Sequence, residues 1–274
     1  MITEIQSVRK HNIKITQTTR TGGFSLPELL VVIGIIAILI AITLPALQNA
    51  RTSARSMVGV SNIRQLGMLV SDYTETWQSV PAILPPYYSP DPEDTISVKT
   101  QWGTFDGIWW HNPYWFHYTL DEMPDASVLN DPGHPIEDIE AELERIGAPT
   151  SDYAISEAFY ADPVYWDRWT QEGPAQWGTQ RLDRVRYPSQ KAFMAQTMVY
   201  DVPGFTSGYP ACCIDEVESS VLWSDLSSTR EMQSRLLTGT PNFWDVRREP
   251  PPQIWAKGNP IHNTQDGILG RDRK

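Results

Sequence analysis

Cysteine is nearly missing: two in 274 residues, adjacent at Cys212 and Cys213. Neighbouring Cα atoms sit about 3.8 Å apart, short of the roughly 5.5 Å of a relaxed disulfide. The pair therefore supplies neither a stapling framework nor a four-cysteine zinc site. What remains open to it is a strained vicinal bridge or pairing between subunits. Histidine is also scarce, with His11, His111, His117, His134 and His262. There is no His-Glu-x-x-His pattern, no Gly-x-Ser-x-Gly elbow and no Gly-rich phosphate loop, so the motif-borne hydrolase and nucleotide chemistries are absent. Basic residues are outnumbered, 22 against 33 acidic, giving a net charge of -11. A nucleic-acid binder carries a basic face, so no nucleic acid is expected as a partner. High charge with low apolar content would signal disorder, yet 41% of residues are hydrophobic and only 20% charged.

What the chain does have is concentrated at its start. Arg9, Lys10, Lys14 and Arg20 stand against one acid, Glu4, in residues 1–23. From Phe24 to Leu47 the only ionisable side chain is Glu28. That stretch is long enough to cross a hydrocarbon core, which takes about 20 helical residues. Flanking positive charge predicts a cytoplasmic N-terminus. In a secretory signal the small-residue cleavage site follows the apolar run. Here Gly22-Gly23 precedes it, so a cut at that point keeps the helix on the mature protein. A plain anchor does not account for Glu28, because a carboxylate in a membrane segment costs roughly 2.5–3.5 kcal/mol and marks a role with a partner. Cleavage after Gly23 would free an amino group on Phe24. Glu28 of one subunit could neutralise that amine on another. The bland alternative is a glutamate snorkelling to the interface.

The run Gly22-Gly23-Phe24-Ser25-Leu26-Pro27-Glu28-Leu29-Leu30-Val31-Val32-Ile33-Gly34 resembles the class III signal of type IV prepilins and type II secretion pseudopilins. The resemblance implies cleavage after Gly23 by a membrane-embedded prepilin peptidase, which also N-methylates Phe24. It implies that Glu28 sets filament registration, and Pro45 falls where many pilins carry a helix-loosening proline. Pro27 departs from the aliphatic residue usual before the glutamate, but proline is tolerated in a first helical turn. The partners implied are the peptidase, other copies or related pseudopilins, and an inner-membrane assembly platform.

Past the membrane stretch, Val60, Ile63, Leu66, Leu69, Val70, Tyr73 and Trp77 recur at spacings of three and four. A single helix is predicted from near Phe24 to near Trp77, about 80 Å long, kinked or locally melted at Pro45 and stopped by the prolines from Pro81 onward. Five segments follow: a leader at 1–23, a transmembrane and polymerisation helix at 24–47, an amphipathic spine at 48–80, a head at 81–246 and an extended tail at 247–274. Within the head, Ile136–Ile146 reads as a helix with Ile136, Ile139, Leu143 and Ile146 on one side, stopped by Gly147 and Pro149. Ala192–Tyr200, Ser220–Trp223 and Tyr153–Tyr160 read as strands. The fold class expected is α+β, a helical spine carrying a small head with an antiparallel sheet. Ser61–Gly67, Asp183–Ser189 and Val221–Asp225 resemble planctomycete-type pilin-like proteins of unknown function, with Leu226 standing in place of their glycine after the aspartate.

Three sets of head residues could carry chemistry. Asp91, Glu93 and Asp94, or Asp121, Glu122 and Asp125, offer hard oxygen ligands for Ca2+, weighed against ordinary solvated acidic loops. No other cofactor is expected. Trp102, Trp109, Trp110, Trp115, Trp166, Trp169 and Trp177 crowd one region. They either fill the core or, through Trp109, Trp110 and Trp115, form a recognition surface for a glycan or a protein. The reading that follows is a non-enzymatic filament subunit, anchored once in the cytoplasmic membrane with its head outside or on a surface filament. A membrane-anchored binding module is the alternative, and a tethered hydrolase is a distant third. Removing residues 1–23 leaves 18 basic and 32 acidic residues, a net charge of -14. Such heads repel one another at low salt unless cations intervene.

Overall fold

Helix α1 runs without interruption from Leu26 to Trp77. It belongs to a computed structural model that describes residues 25–81, 97–100, 103–106, 115–118, 126–146, 150–172, 176, 178–200, 209–210, 217–240, 261–262 and 264–274. Pro45 does not stop the helix, which stays helical through it without local melting. Proline removes one N–H and its bond to the carbonyl four residues earlier, and the bonds on either side hold the rod. The helix ends as expected before the proline cluster. Gln78 adopts a left-handed φ of 57° and its N–H returns to the Thr74 carbonyl at 2.9 Å, a cap usually made by glycine.

The chain divides into two compact units, residues 1–49 and 50–274. In the first, every described residue of α1 is solvent-exposed. The second contains the rest of α1 and the head. Its central sheet has four antiparallel strands in the order β3-β4-β7-β8: β3 (Tyr153–Ile155), β4 (Ala192–Gln196), β7 (Glu218–Trp223) and β8 (Ser228–Met232). Two hairpin-like pairs lie outside it, β1 (Ser97–Thr100) with β2 (Gly103–Asp106), and β5 (Met198–Val199) with β6 (Tyr209–Pro210). Helix α2 spans Ile136–Ile146, as predicted.

The sheet is covered on both faces. On one, Gly59, Asn62, Ile63, Leu66, Gly67, Val70 and Thr74 of α1 are buried. Ile63, Leu66 and Val70 join Tyr153, Phe193 and Leu222 in the main cluster. A Cβ at Gly67 would stand 2.0 Å from Leu222 Cδ2, so the helix lies against β7 because position 67 has no side chain. On the other face, Val221 and Trp223 of β7 cluster with Ala192, Ala195, Leu236 and Ile261. Residues 220 and 222 facing the helix and 221 and 223 facing away is the period-two alternation of a strand.

Several expectations need correction. Trp77 is 67% exposed, stacked on Tyr73 at 6.1 Å, and is not part of the buried face of α1. Ile136 of α2 is 69% exposed, so the apolar side of that helix is covered only in part. The strand at 153–160 ends at Ile155 and turns into a 3-10 helix at Glu157–Phe159. The strand at 192–200 is two short strands in different sheets. The β7–β8 turn forms although Leu226 replaces glycine: Leu226 takes φ 63° and donates to the Trp223 carbonyl, while Asp225 accepts from Ser227 N–H at 3.0 Å. A left-handed leucine costs about 1 kcal/mol, and Leu226 offsets this by packing on the main cluster. The described part of the tail, residues 261–262 and 264–274, is not a free extension. Ile261, Thr264, Gly267, Ile268 and Asp272 are buried in the head.

Candidate functional site

The amino-terminal turn of α1 is built from Ser25 and Glu28. Ser25 is the N-cap, and its carbonyl accepts the first helical bond from Leu29 N–H at 3.1 Å. The Glu28 carboxylate folds back over that turn. Its Oε2 accepts from Ser25 N–H at 2.8 Å and from Ser25 Oγ–H at 2.7 Å. This is the reciprocal half of a capping box, in which the residue three beyond the cap satisfies the cap's own N–H. Pro27 sits at the second helical position, where a missing N–H leaves no bond unmade. The acid is thus held by its own helix at the end where the helix dipole favours negative charge.

Beyond this turn the rod is apolar all round. Leu26, Leu29, Leu30, Ile33, Ile36 and Ile40 are each about half exposed or more, as are their apolar neighbours to Leu47. Among the described residues α1 is the one helix long and apolar enough to cross a membrane. Thr43 does not disturb this, because its hydroxyl donates to the Leu39 carbonyl at 2.8 Å. Burying a Leu or Ile side chain gains about 1.5–3 kcal/mol, so leaving this many in water is untenable without lipid or other helices. Apart from the helix's own backbone nearby, no described atom lies within 4 Å of where a Cβ at Gly34 would stand.

The head holds two polar centres. In the first, Asp152 Oδ2 accepts from Asp131 N–H at 2.8 Å and faces His134 Nδ1 at 2.9 Å, while Oδ1 accepts from Tyr200 O–H at 3.0 Å. Tyr200 stacks on the His134 ring at 4.4 Å. Each oxygen of the carboxylate is engaged, so the cluster fastens the 130–134 loop to β3 and presents no free base to a substrate. The second centre is Lys191, entirely buried and paired with Asp272 at 2.8 Å. Burial pulls the Lys191 pKa down, opposed by the Asp272 charge and hydrogen bond.

Of the residues singled out by sequence, Glu28 is placed at the start of α1. Gly22, Gly23 and Phe24 lie outside the described residues, as do Asp91, Glu93, Asp94, Asp121, Glu122, Asp125, Cys212 and Cys213. Trp109 and Trp110 lie outside them too. Trp115 does not present a recognition surface: it is wholly buried, and its Nε1–H donates to the Tyr153 carbonyl at 2.8 Å. Trp166 and Trp223 are buried as well, so these indoles fill the core. Trp169 is different, 88% exposed with Arg168 over its ring at 5.8 Å. Lys191 and Asp272 were not expected. Their one signal in the sequence is a lone lysine directly before the apolar β4 run.

An apolar helix at the amino end, opened by a capped carboxylate and followed by an α+β head, fits a membrane anchor for a pilin-type protein. The comparisons make this specific. A family model described as the prokaryotic N-terminal methylation motif matches residues 18–44. No curated protein and no solved structure matches the chain. The amino-terminal segment thus carries a prepilin-type motif, which supports a precursor of the type IV pilin or pseudopilin kind and implies processing by a prepilin peptidase and assembly with other pilin subunits.

Proposed function

We propose that this protein is a structural pseudopilin-like subunit, cut between Gly23 and Phe24 and N-methylated on Phe24. It then assembles through its amino-terminal helix into a filament of a type II secretion or type IV pilus-like machine. The observation that carries this reading is the apolar half of α1, exposed on every side and bearing a single acid at its start. Such a rod needs lipid first and neighbouring helices afterwards. In the filament, Glu28 exchanges its Ser25 partners for the Phe24 amine of an adjacent subunit, which places two opposite charges together in an apolar medium where the pair is strongly favoured over either alone. The four positive charges of residues 1–23 hold the leader in the cytoplasm, and the head lies on the other side of the membrane. The subunit needs no catalytic group.

N-terminal sequencing and mass spectrometry of the membrane-derived protein test the reading. Methylated Phe24 as first residue is expected. An intact Met1 in cells with an active prepilin peptidase would defeat it. A second reading, a display head for ligand recognition, draws on Trp169 alone among the described residues: an ordered indole left in water beside a guanidinium.

A further inference from the structure

Lys191 stands at the entrance to β4, at the middle of the sheet, and is fully buried. Its ammonium has four partners. They are Asp272 Oδ2 at 2.8 Å, Thr264 Oγ1 at 2.6 Å, the Ile261 carbonyl at 3.2 Å and Ser156 Oγ at 3.2 Å. Three of these four come from the last fourteen residues of the chain. Asp272 does more than neutralise the charge. Its Oδ2 also accepts from Ala192 N–H at 2.8 Å, tying the first residue of β4, and its Oδ1 accepts from Thr264 O–H. The segment is stitched in along its length. Asp272 N–H donates to the Gln190 carbonyl at 2.8 Å, Leu237 N–H to the Asp272 carbonyl at 2.7 Å, and Arg186 N–H to the Ile268 carbonyl at 3.2 Å. Arg273 grips the Ser189 carbonyl at 2.7 Å and lies over the Trp223 ring at 4.0 Å. Gly267, with φ 55°, sits where a Cβ would come within 2.6 Å of Trp166.

We infer that residues 261–274 are a closing lock on the head: the head completes its fold only when this segment has reached Lys191. The reason is electrostatic. Before the lock arrives, β4 can be buried only with an ammonium left to the Ser156 hydroxyl and the face of Phe159, 5.8 Å away, and a buried charge without its counter-ion is strongly disfavoured. Packing of β4 between β3 and β7 must wait for Asp272. The consequence for export rests on the pilin-type reading: a head that follows its anchor across a membrane delivers Lys191 before Asp272, so β4 stays open on the far side until residues 261–274 have crossed too.

The test uses the full chain inserted in membranes and limited trypsin digestion of the head. Asp272→Asn should raise the cleavage rate on the order of 100-fold or more, the effect of breaking one side of a buried ion pair. Lys191→Met with Asp272→Leu, which removes both charges and keeps apolar volume, should return the rate to within about tenfold of wild type. The double variant guards against simple misfolding of the single one. A second arm holds the chain on the ribosome by an arrest sequence placed after Lys274 through linkers of increasing length. Protection of the wild-type head should appear only once the linker frees Asp272 from the exit tunnel, and at shorter linkers for the double variant. An unchanged rate for Asp272→Asn, a double variant as labile as the single one, or protection before Asp272 emerges would each overturn the lock. Methylation of Phe24 is scored on the same samples: its absence sinks the pilin reading and leaves the lock standing.

Discussion

Adding one methyl group at Gly67 sets two known effects against each other, and the structure says which prevails. Alanine in a helix interior is better than glycine by about 0.8–1 kcal/mol. On propensity alone, Gly67→Ala stabilises. The new Cβ, however, would stand 2.0 Å from Leu222 Cδ2, 3.2 Å from Cγ and 3.4 Å from Cδ1. Carbon atoms rest at about 3.5–4.0 Å, so Leu222 or the helix must give way by more than an ångström. Leu222 is fully buried in β7 between β4 and β8, and has no empty space to enter. Overpacking of this kind costs about 1–3 kcal/mol, and a contact so short belongs at the upper end. The net expectation is a loss of about 1–2 kcal/mol. Gly59 provides the graded comparison. A Cβ there meets Asp131 Oδ2 at 3.2 Å, Ser220 Oγ at 3.4 Å and Tyr153 Oη at 3.5 Å, which a shift of a few tenths of an ångström relieves. Gly59→Ala should therefore fall within about 1 kcal/mol of wild type.

The decisive measurement is a double-mutant cycle. Leu222→Ala removes all three atoms that crowd the new methyl, and on its own should cost about 2–5 kcal/mol through the cavity it leaves. Combined with Gly67→Ala, the methyl fills part of that cavity, so the pair should be more stable than the sum of the two losses by at least about 1 kcal/mol. Urea unfolding of the detergent-solubilised full chain, followed by tryptophan fluorescence, reads these values from the midpoint at constant slope. Gly67→Ala at or above wild-type stability, or additivity within about 0.5 kcal/mol, would refute the claim that the helix lies on β7 by virtue of that glycine.

Two further perturbations test separate parts of the chain. Glu28→Gln keeps the hydrogen bonds to Ser25 and removes the charge, whereas Ser25→Ala removes a cap worth about 1 kcal/mol and keeps the charge. If Glu28 acts by pairing with an amine, Glu28→Gln is processed yet fails to assemble and Ser25→Ala assembles almost normally, as scored by filament yield; the opposite pattern would reduce Glu28 to a helix cap. Tyr153 has a buried hydroxyl, and burial, aided by the Asp131 and Asp152 charges and opposed by Asn62 and Arg230, holds its pKa well above 10.0. The unfolded chain loses that proton near pH 10 while the folded head keeps it, so stability from this group is intact below pH 10 and drains away as pH rises further. Tyr153→Phe should be neutral at pH 7 and should flatten the alkaline loss; an unaltered alkaline melting profile would count against it.

The parts of the fold that could be read from sequence are those fixed by neighbours in the chain. The end of α1 at Trp77 follows from the prolines after it, and the bounds of α2 from its own apolar spacing and the Gly-x-Pro stop. The cores of β4 and β7 announce themselves as short apolar runs. Glu28 was legible because its surroundings are all apolar, which makes one charge conspicuous. The inward or outward fate of the tryptophans was not legible: Trp115 and Trp169 sit in similar aromatic, polar-flanked contexts, and only the folded sheet decides that one is buried and the other is 88% exposed. Nor were Gly59 and Gly67, which read as weak points in a helix until β7 is seen against them.

The C-terminal segment shows why a polar composition was misleading there. Hydropathy prices each side chain as though it faced water or oil alone, and by that measure Thr264 and Asp272, both buried, belong on the surface. Burial of such groups is governed by whether each donor finds an acceptor. In this head the acceptors and donors lie far apart in sequence: Lys191 and Asp272 are separated by 81 positions, and Ser156 and Ile261 by 105. A pairing of that span leaves no local trace, since neither partner alters the periodicity around it. It also makes the fold depend on the whole chain at once. The same two residues that hid this segment from a reading by hydropathy are those that make it indispensable, because an unpaired ammonium under β4 penalises every structure in which Asp272 is not in place.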